Sequence, residues 1–201
     1  GLRTRDCLPF YWTAPQGPDA AGTTGYKGFF YHFLKNDDGT RYKTNELSTV
    51  DTSLFLGGAL FAQSYYDRND PVEAEIRDLA EKIYTRVDWT FVQRTNTGTE
   101  ARNLAGSHGI TMGWKPEKGF ETHDWVGYNE GMLVYILALG SPTHAVGDDA
   151  WNAWTSTYNR TWGEFHAQTF LNFAPLFGHQ FSHVWVDFRG IRDAWNREKG
   201  L

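Results

Sequence analysis

Apolar residues return at helical spacing through much of this chain. Between Val72 and Phe91, the positions Val72, Ile76, Leu79, Ile83 and Val87 recur every three or four residues with charges between them. That spacing predicts an amphipathic helix opening at Pro71, with one wet face. Its charges, Glu73 with Arg77 among them, read as solvated pairs of little energetic consequence. From Asn45 to about Tyr66, the spacing of Leu47, Val50, Leu54 and Phe61 predicts a second helix, with Asn45 as N-cap and Gly57-Gly58 admitting a close neighbour. Tyr128 to Leu139 is almost wholly apolar and stops at Gly140-Ser141-Pro142, which predicts a helix buried on most sides. Further helices are expected over 148–158 and within 174–198.

The rest reads as loop and turn. Residues 1–28 carry Pro9, Pro15 and Pro18 among several glycines and are expected to be mostly irregular after a short helical remnant. Residues 28–34 followed by Asn36-Asp37-Asp38-Gly39 predict a short strand entering a tight turn, with 41–43 returning as its partner. Residues 93–127, rich in Thr, Asn and Gly, predict a long excursion with one hairpin, the kind of segment that tends to carry function. Nearly all-apolar and amphipathic helices alternate without the strand-helix rhythm of a parallel sheet. The expected fold class is therefore all-α, with inner and outer helices of a toroid or a plain bundle and a small β-hairpin or two in the loops. Residues 1–201 are read as one domain.

Composition narrows the chemistry. The chain holds 9 Trp, 10 Tyr and 14 Phe, rings that fill a core or offer flat faces to a ligand such as a sugar. A net charge of -5 without a basic run leaves no footprint for a phosphate backbone, so no nucleic acid partner is expected. Cys7 is the only cysteine, which excludes an internal disulfide and a Cys-rich zinc site; it reads as a small buried apolar group. No stretch reaches the ~18 apolar residues needed to cross a bilayer, and the N-terminus lacks the regions of a signal peptide, so no membrane partner is expected.

Cleaving a glycosidic bond needs one carboxylic acid to protonate the leaving oxygen and a second carboxylate to activate water or attack directly. Three segments set acids among aromatics. In Gly127-Tyr128-Asn129-Glu130-Gly131, Glu130 is expected in the opening turn of the buried helix just after Trp125. Burial beside aromatics favours a useful acid there, the helix dipole opposes it, and the alternative is a carboxylate that only stabilises the helix end. In Asn45 to Thr52, the residues Asn45, Ser48, Thr49 and Thr52 are expected to share a polar stripe, with capping as the alternative. Glu46 and Asp51, about 140° apart around such a helix, are not expected to point at one sugar. In His179-Gln180-Phe181-Ser182-His183 with Asp187, steps of four set two imidazoles and a carboxylate near one helix face. A zinc site can use that spacing, but imidazoles also bind sugar hydroxyls, and neither metal nor other cofactor is expected.

On these residues the chain resembles the glucoamylase-like glycoside hydrolases, which include bacterial endo-β-1,2-glucanases. The similar segments are Gly25 to Phe33, Glu46 to Thr52, Gly127 to His144, and Pro175 to Asp193. The resemblance implies an (α/α)6 toroid whose central cleft hydrolyses β-1,2-glucan, with inversion and without a metal. It implies Glu130 as proton donor, with Glu46 and Asp51 as the further catalytic candidates and Thr49 beside them lining the same cleft. Tyr26, Lys27, Phe30, His32, Trp125, Tyr128, Asn129, His179, His183 and Asp187 are the expected substrate contacts. Asp187, Asp124 and Asp51 are the available stand-ins for a base. Related domains in cyclic β-1,2-glucan synthases transglycosylate the same polymer, and a non-catalytic sugar-binding module is the rival class. Family domains carry helices before and after the similar region. The chain therefore reads as the middle of the toroid, with the remainder as a possible second chain, in the periplasm or medium of a bacterium.

Overall fold

In the computed structural model, which describes residues 2–94 and 108–201, the chain opens on a helix of 12 residues, α1 (Leu2–Thr13), longer than the short helical remnant expected ahead of the loop. Tertiary burial overrides the local signal: Leu8 is buried and the Tyr11 ring packs on Phe30 and Phe55. The Arg86 guanidinium donates to the carbonyls of Tyr11 and Trp12, satisfying the helix end. Cys7 is exposed on this helix rather than buried.

Strands β1 (Gly25–Tyr26) and β2 (Phe29–Tyr31) follow, and an antiparallel bridge of Leu34 with Arg41 closes the turn expected over 36–39. Strand β3 (Leu47–Ser48) pairs with β2 in the register Phe30–Ser48 and Tyr31–Leu47, then runs directly into α2 (Thr49–Tyr65). The helix therefore starts three residues later than Asn45 as N-cap predicts. Ser48 is its N-cap, accepting the Asp51 amide, while the Asn45 side chain is spent on both backbone groups of Phe33. Gly57 receives the Trp185 indole, and a Cβ there would sit 2.9 Å from the ring. Helix α3 (Pro71–Thr85) matches its sequence signals, with Asp70 capping two amides and Pro71 in the first turn. Glu73, however, is buried and paired with Arg68, not Arg77. Arg77 instead donates to the Tyr66 and Arg68 carbonyls.

After α4 (Trp89–Val92), part of the predicted excursion, 95–107, lies outside the described residues. Its remainder forms two strand pairs where one hairpin was expected. Strands β5 (Gly113–Lys115) and β6 (Gly119–Phe120) extend the first sheet to the antiparallel order β1-β2-β3-β5-β6. On either side of them in sequence, β4 (Ile110–Thr111) and β7 (Asp124–Trp125) pair with each other. Helix α5 (Met132–Leu139) is the buried apolar helix, and its Tyr135 hydroxyl donates to the Trp125 carbonyl and accepts the Ile110 amide. Then come α6 (Asp149–Thr155), α7 (Tyr158–Thr161), an unpredicted hairpin of β8 (Trp162–Phe165) with β9 (Gln168–Leu171), and helices α8 (Leu176–Trp185) and α9 (Ala194–Lys199). The fold is thus predominantly helical but not purely so. No helix among the described residues is long and apolar enough to cross a membrane.

One buried contact joins the two halves of this frame. The fully buried Thr49 hydroxyl accepts the Trp125 indole N–H at 3.0 Å and reaches the carbonyls of Thr111 and Met112. Thr49→Val keeps the shape but strands that N–H, at a cost of about 1–3 kcal/mol. Thermal denaturation should register a lower midpoint, by roughly 2–4 °C for each kcal/mol lost. An unchanged midpoint would show that the contact contributes nothing.

Candidate active site

The β2–β3 register places His32, the residue after β2, opposite Glu46, the residue before β3, and the His32 amide donates to the Glu46 carbonyl at 2.9 Å. Side chains follow the backbone: His32 Nδ1 lies 2.7 Å from Glu46 Oε1, and Nε2 lies 3.5 Å from Asp51 Oδ2. Asp51 is steadied by its own cap, since the Ser48 hydroxyl donates to Oδ2 at 2.5 Å. Glu46 and Asp51 therefore converge on one imidazole, against the helical-wheel expectation, because Glu46 lies outside the helix. Partial burial pushes the Glu46 carboxyl up. Its own backbone N–H, the His32 hydrogen bond and the charges of His32 and Lys115 outweigh that and hold it below the usual carboxylate range.

Glu130 sits in the turn preceding α5, not in its first helical turn. Asn129 shapes that turn by accepting the Gly131 amide and donating to the Val126 carbonyl. Gly131 lets the turn lie on the Trp125 ring, where a Cβ would come within 2.7 Å of it. Trp125 in turn binds Thr49, so the Glu130 turn is anchored to the start of α2. Glu130 itself is half-buried, and among the described residues no side chain hydrogen-bonds or ion-pairs with it.

Tyr128, His179 and His183 meet at a cavity of about 700 Å³ walled also by Trp151, Trp162 and Phe170. The Tyr128 and His179 rings are 5.2 Å apart, and His179 Nε2 is fixed 2.8 Å from the Phe173 carbonyl. Asp187 does not join the imidazoles: α8 ends at Trp185, and the carboxylate turns outward to Arg189 at 2.7 Å. Of the remaining expected contacts, Lys27 pairs with Asp88 at 3.3 Å and Tyr26 packs against Phe91 and Trp114. Phe30, Thr49 and Trp125 are buried, with Thr49 and Trp125 hydrogen-bonded to each other. Among the described residues, no group of three or more His, Cys, Asp or Glu is disposed to hold a metal ion.

A family model for the Glycoamylase family, described as "putative glucoamylase", matches residues 122–199, the stretch that includes Glu130 and the cavity histidines. The glucoamylase-like family is the one this chain resembles. An exo β-1,2-glucooligosaccharide sophorohydrolase of Parabacteroides distasonis is 25% identical over 85% of this chain and 26% of its own length. A glucoamylase-like Bacteroides uniformis structure superposes with a TM-score of 0.77 at 22% identity, covering 96% of this chain and 46% of that one. An endo-β-1,2-glucanase of Chitinophaga pinensis, with sophorotriose and glucose bound, gives 0.72 at 20% identity over 96% of this chain and 45% of that one. The glucoamylase-like fold is thereby shared. The chain spans about a quarter of the curated relative's length and just under half of these solved chains.

Asp124, on β7 beside the Glu130 turn, is buried with Arg94 Nε 3.3 Å from Oδ1 and, among the described residues, with no hydrogen-bond partner for Oδ2. Burial raises its carboxyl from 3.8 to about 6, against the charge and hydrogen bond of Arg94 and the charge of His123. The folded state therefore holds this proton more tightly than the unfolded chain. Below both values each state is protonated; between them only the folded state is, so stability falls as pH rises from about 4 to about 6, by up to roughly 3 kcal/mol. Asp124→Asn removes that titration, and its melting temperature should vary less than the wild type's across this window. Equal slopes would show that Asp124 does not titrate there.

Proposed function

We propose that residues 1–201 form one part of an (α/α)6 catalytic toroid that hydrolyses a β-linked glucan, most specifically β-1,2-glucan by endo attack, with Glu130 as general acid. The observation that carries the reading is that, of the five acids in the similar segments, Glu130 alone is half-buried and free of a partner among the described residues, since Asp187 pairs with Arg189 and Asp193 accepts from Trp151 and Asn196. Glu46 is engaged by His32 and Asp51 by Ser48. In an inverting reaction Glu130 gives its proton to the glycosidic oxygen as the C–O bond breaks, and water attacks the anomeric carbon while a second carboxylate takes the water's proton. The relatives' greater length supports a toroid completed by further polypeptide, in the same or a second chain. A polymeric glucan suits a periplasmic or secreted protein.

Incubation with β-1,2-glucan, followed by sizing of new reducing ends, tests the substrate. A ladder of oligosaccharides supports endo hydrolysis, whereas sophorose alone favours the exo mode named for the Parabacteroides distasonis relative. Cyclic products would indicate transglycosylation, and binding without release a non-catalytic module.

In the active protein, Glu130→Gln keeps the shape and removes the proton, so turnover should fall at least about a hundredfold. Glucan affinity and melting temperature should hardly change. A variant retaining more than about a tenth of parental turnover would transfer the assignment to Glu46 or Asp51.

A further inference from the structure

His32 is the residue through which two acids from separate elements meet. We infer that it is a positioning residue, tying Glu46 and Asp51 into one unit whose outward oxygens accept the hydroxyls of a sugar diol. This inference rests on the glucan reading above. Three observations carry it.

The two ring nitrogens face different carboxylates: Nδ1 is hydrogen-bonded to Glu46 at 2.7 Å, and Nε2 lies 3.5 Å from Asp51, an ion-pair contact when the ring carries both protons. Rotating the ring or truncating it would remove the link between the two acids, freeing Glu46 and leaving Asp51 to Ser48 alone. The ring itself is held flat, stacked on Phe33 at 4.2 Å and 12° between planes, and its backbone is fixed by the Glu46 carbonyl. Finally, the unit is accessible, with side chains 37%, 27% and 43% exposed for His32, Glu46 and Asp51, and His32 and Asp51 line a cavity of about 280 Å³ beside Tyr11, Phe30 and Phe55. A carboxylate with one oxygen held by protein retains a second that accepts only, which suits two adjacent hydroxyl donors. The charged groups around the imidazole are Glu46, Asp51 and, through Glu46, Lys115, itself 2.9 Å from Glu121.

Two substitutions separate the arms. The amide nitrogen of His32→Asn can occupy the place of Nδ1 and keep Glu46, whereas that of His32→Gln can reach the place of Nε2 and keep Asp51. His32→Ala loses both. In the active protein, His32→Ala should raise KM for β-1,2-glucan oligosaccharides about tenfold, the loss of one or two charge-assisted hydrogen bonds, and leave kcat within about threefold. The Asn and Gln variants should each recover part of the loss.

A fall in kcat alone, or Asn and Gln variants as impaired as Ala, overturns the inference. Imidazole nitrogen NMR of the unliganded protein reads the bridge without any substrate. Glu46→Gln should shift the Nδ1 resonance and Asp51→Asn the Nε2 resonance, each with an unchanged melting temperature. A ring insensitive to both overturns the bridge itself. Intact NMR responses with no glucan binding by the wild-type protein overturn the hydroxyl-recognition role and the glucan reading together.

Discussion

Ser48 belongs at once to a strand and to a helix, and the rest of the site depends on that double use. Its backbone pairs with Phe30 in β2, which fixes the register, while its hydroxyl exchanges hydrogen bonds with Asp51, which fixes where α2 begins. A shift of one residue in the register would turn Glu46 to the opposite face and separate it from His32. The next residue, Thr49, carries the same constraint into the core through Trp125, and Trp125 supports the glycine that lets the Glu130 turn pack. A single strand-to-helix junction therefore locates acids that lie more than eighty residues apart in sequence.

The parts of this arrangement governed by local chemistry are legible in the sequence. Helix α3 announces itself by Asp70, Pro71 and the Val72 to Val87 spacing, and the stop after Leu139 by Gly140 and Pro142. The start of α2 does not, because Leu47 continues the helical period while pairing as a strand. Nothing between 45 and 51 records that β2 will lie alongside, and so the meeting of Glu46 with Asp51 is hidden from a helical wheel. The resemblance to the family did imply that His32, Glu46 and Asp51 belong to one cleft, but not that the imidazole lies between the two acids.

The β8–β9 hairpin was missed for a different reason. Its turn is made by His166 and Ala167, both at positive φ, a conformation usually marked by Gly or Asn. The pairing of Trp162 with Leu171 through Phe165 with Gln168 holds those residues there, and Trp162, Phe170 and Leu171 form a wall of the larger cavity. The length of the helix over Leu2–Thr13 was hidden likewise, since its support comes from distant partners, the Arg86 guanidinium on its last carbonyls and Phe30 and Phe55 against the Tyr11 ring.

The acids around the site are distinguished by what surrounds each carboxylate more than by position. Asp124 can hold a proton near neutrality, but it is buried and paired with Arg94 in the frame. Glu46 reaches solvent, but His32 and Lys115 favour its ionised form, which suits an acceptor of hydroxyl protons and hydrogen bonds and not a donor. Asp51 has its Oδ2 already shared between Ser48 and His32. An acid that must give up a proton during bond cleavage needs to be half-desolvated, reachable and uncommitted to a cation, since a fixed positive neighbour would favour the charged form before substrate arrives. Of these four, Glu130 meets that description, in a turn whose glycine and asparagine leave its side chain without a protein partner among the described residues. The proposed division of roles follows from these surroundings: the paired acids would recognise the sugar, and the unpaired one would be left to react.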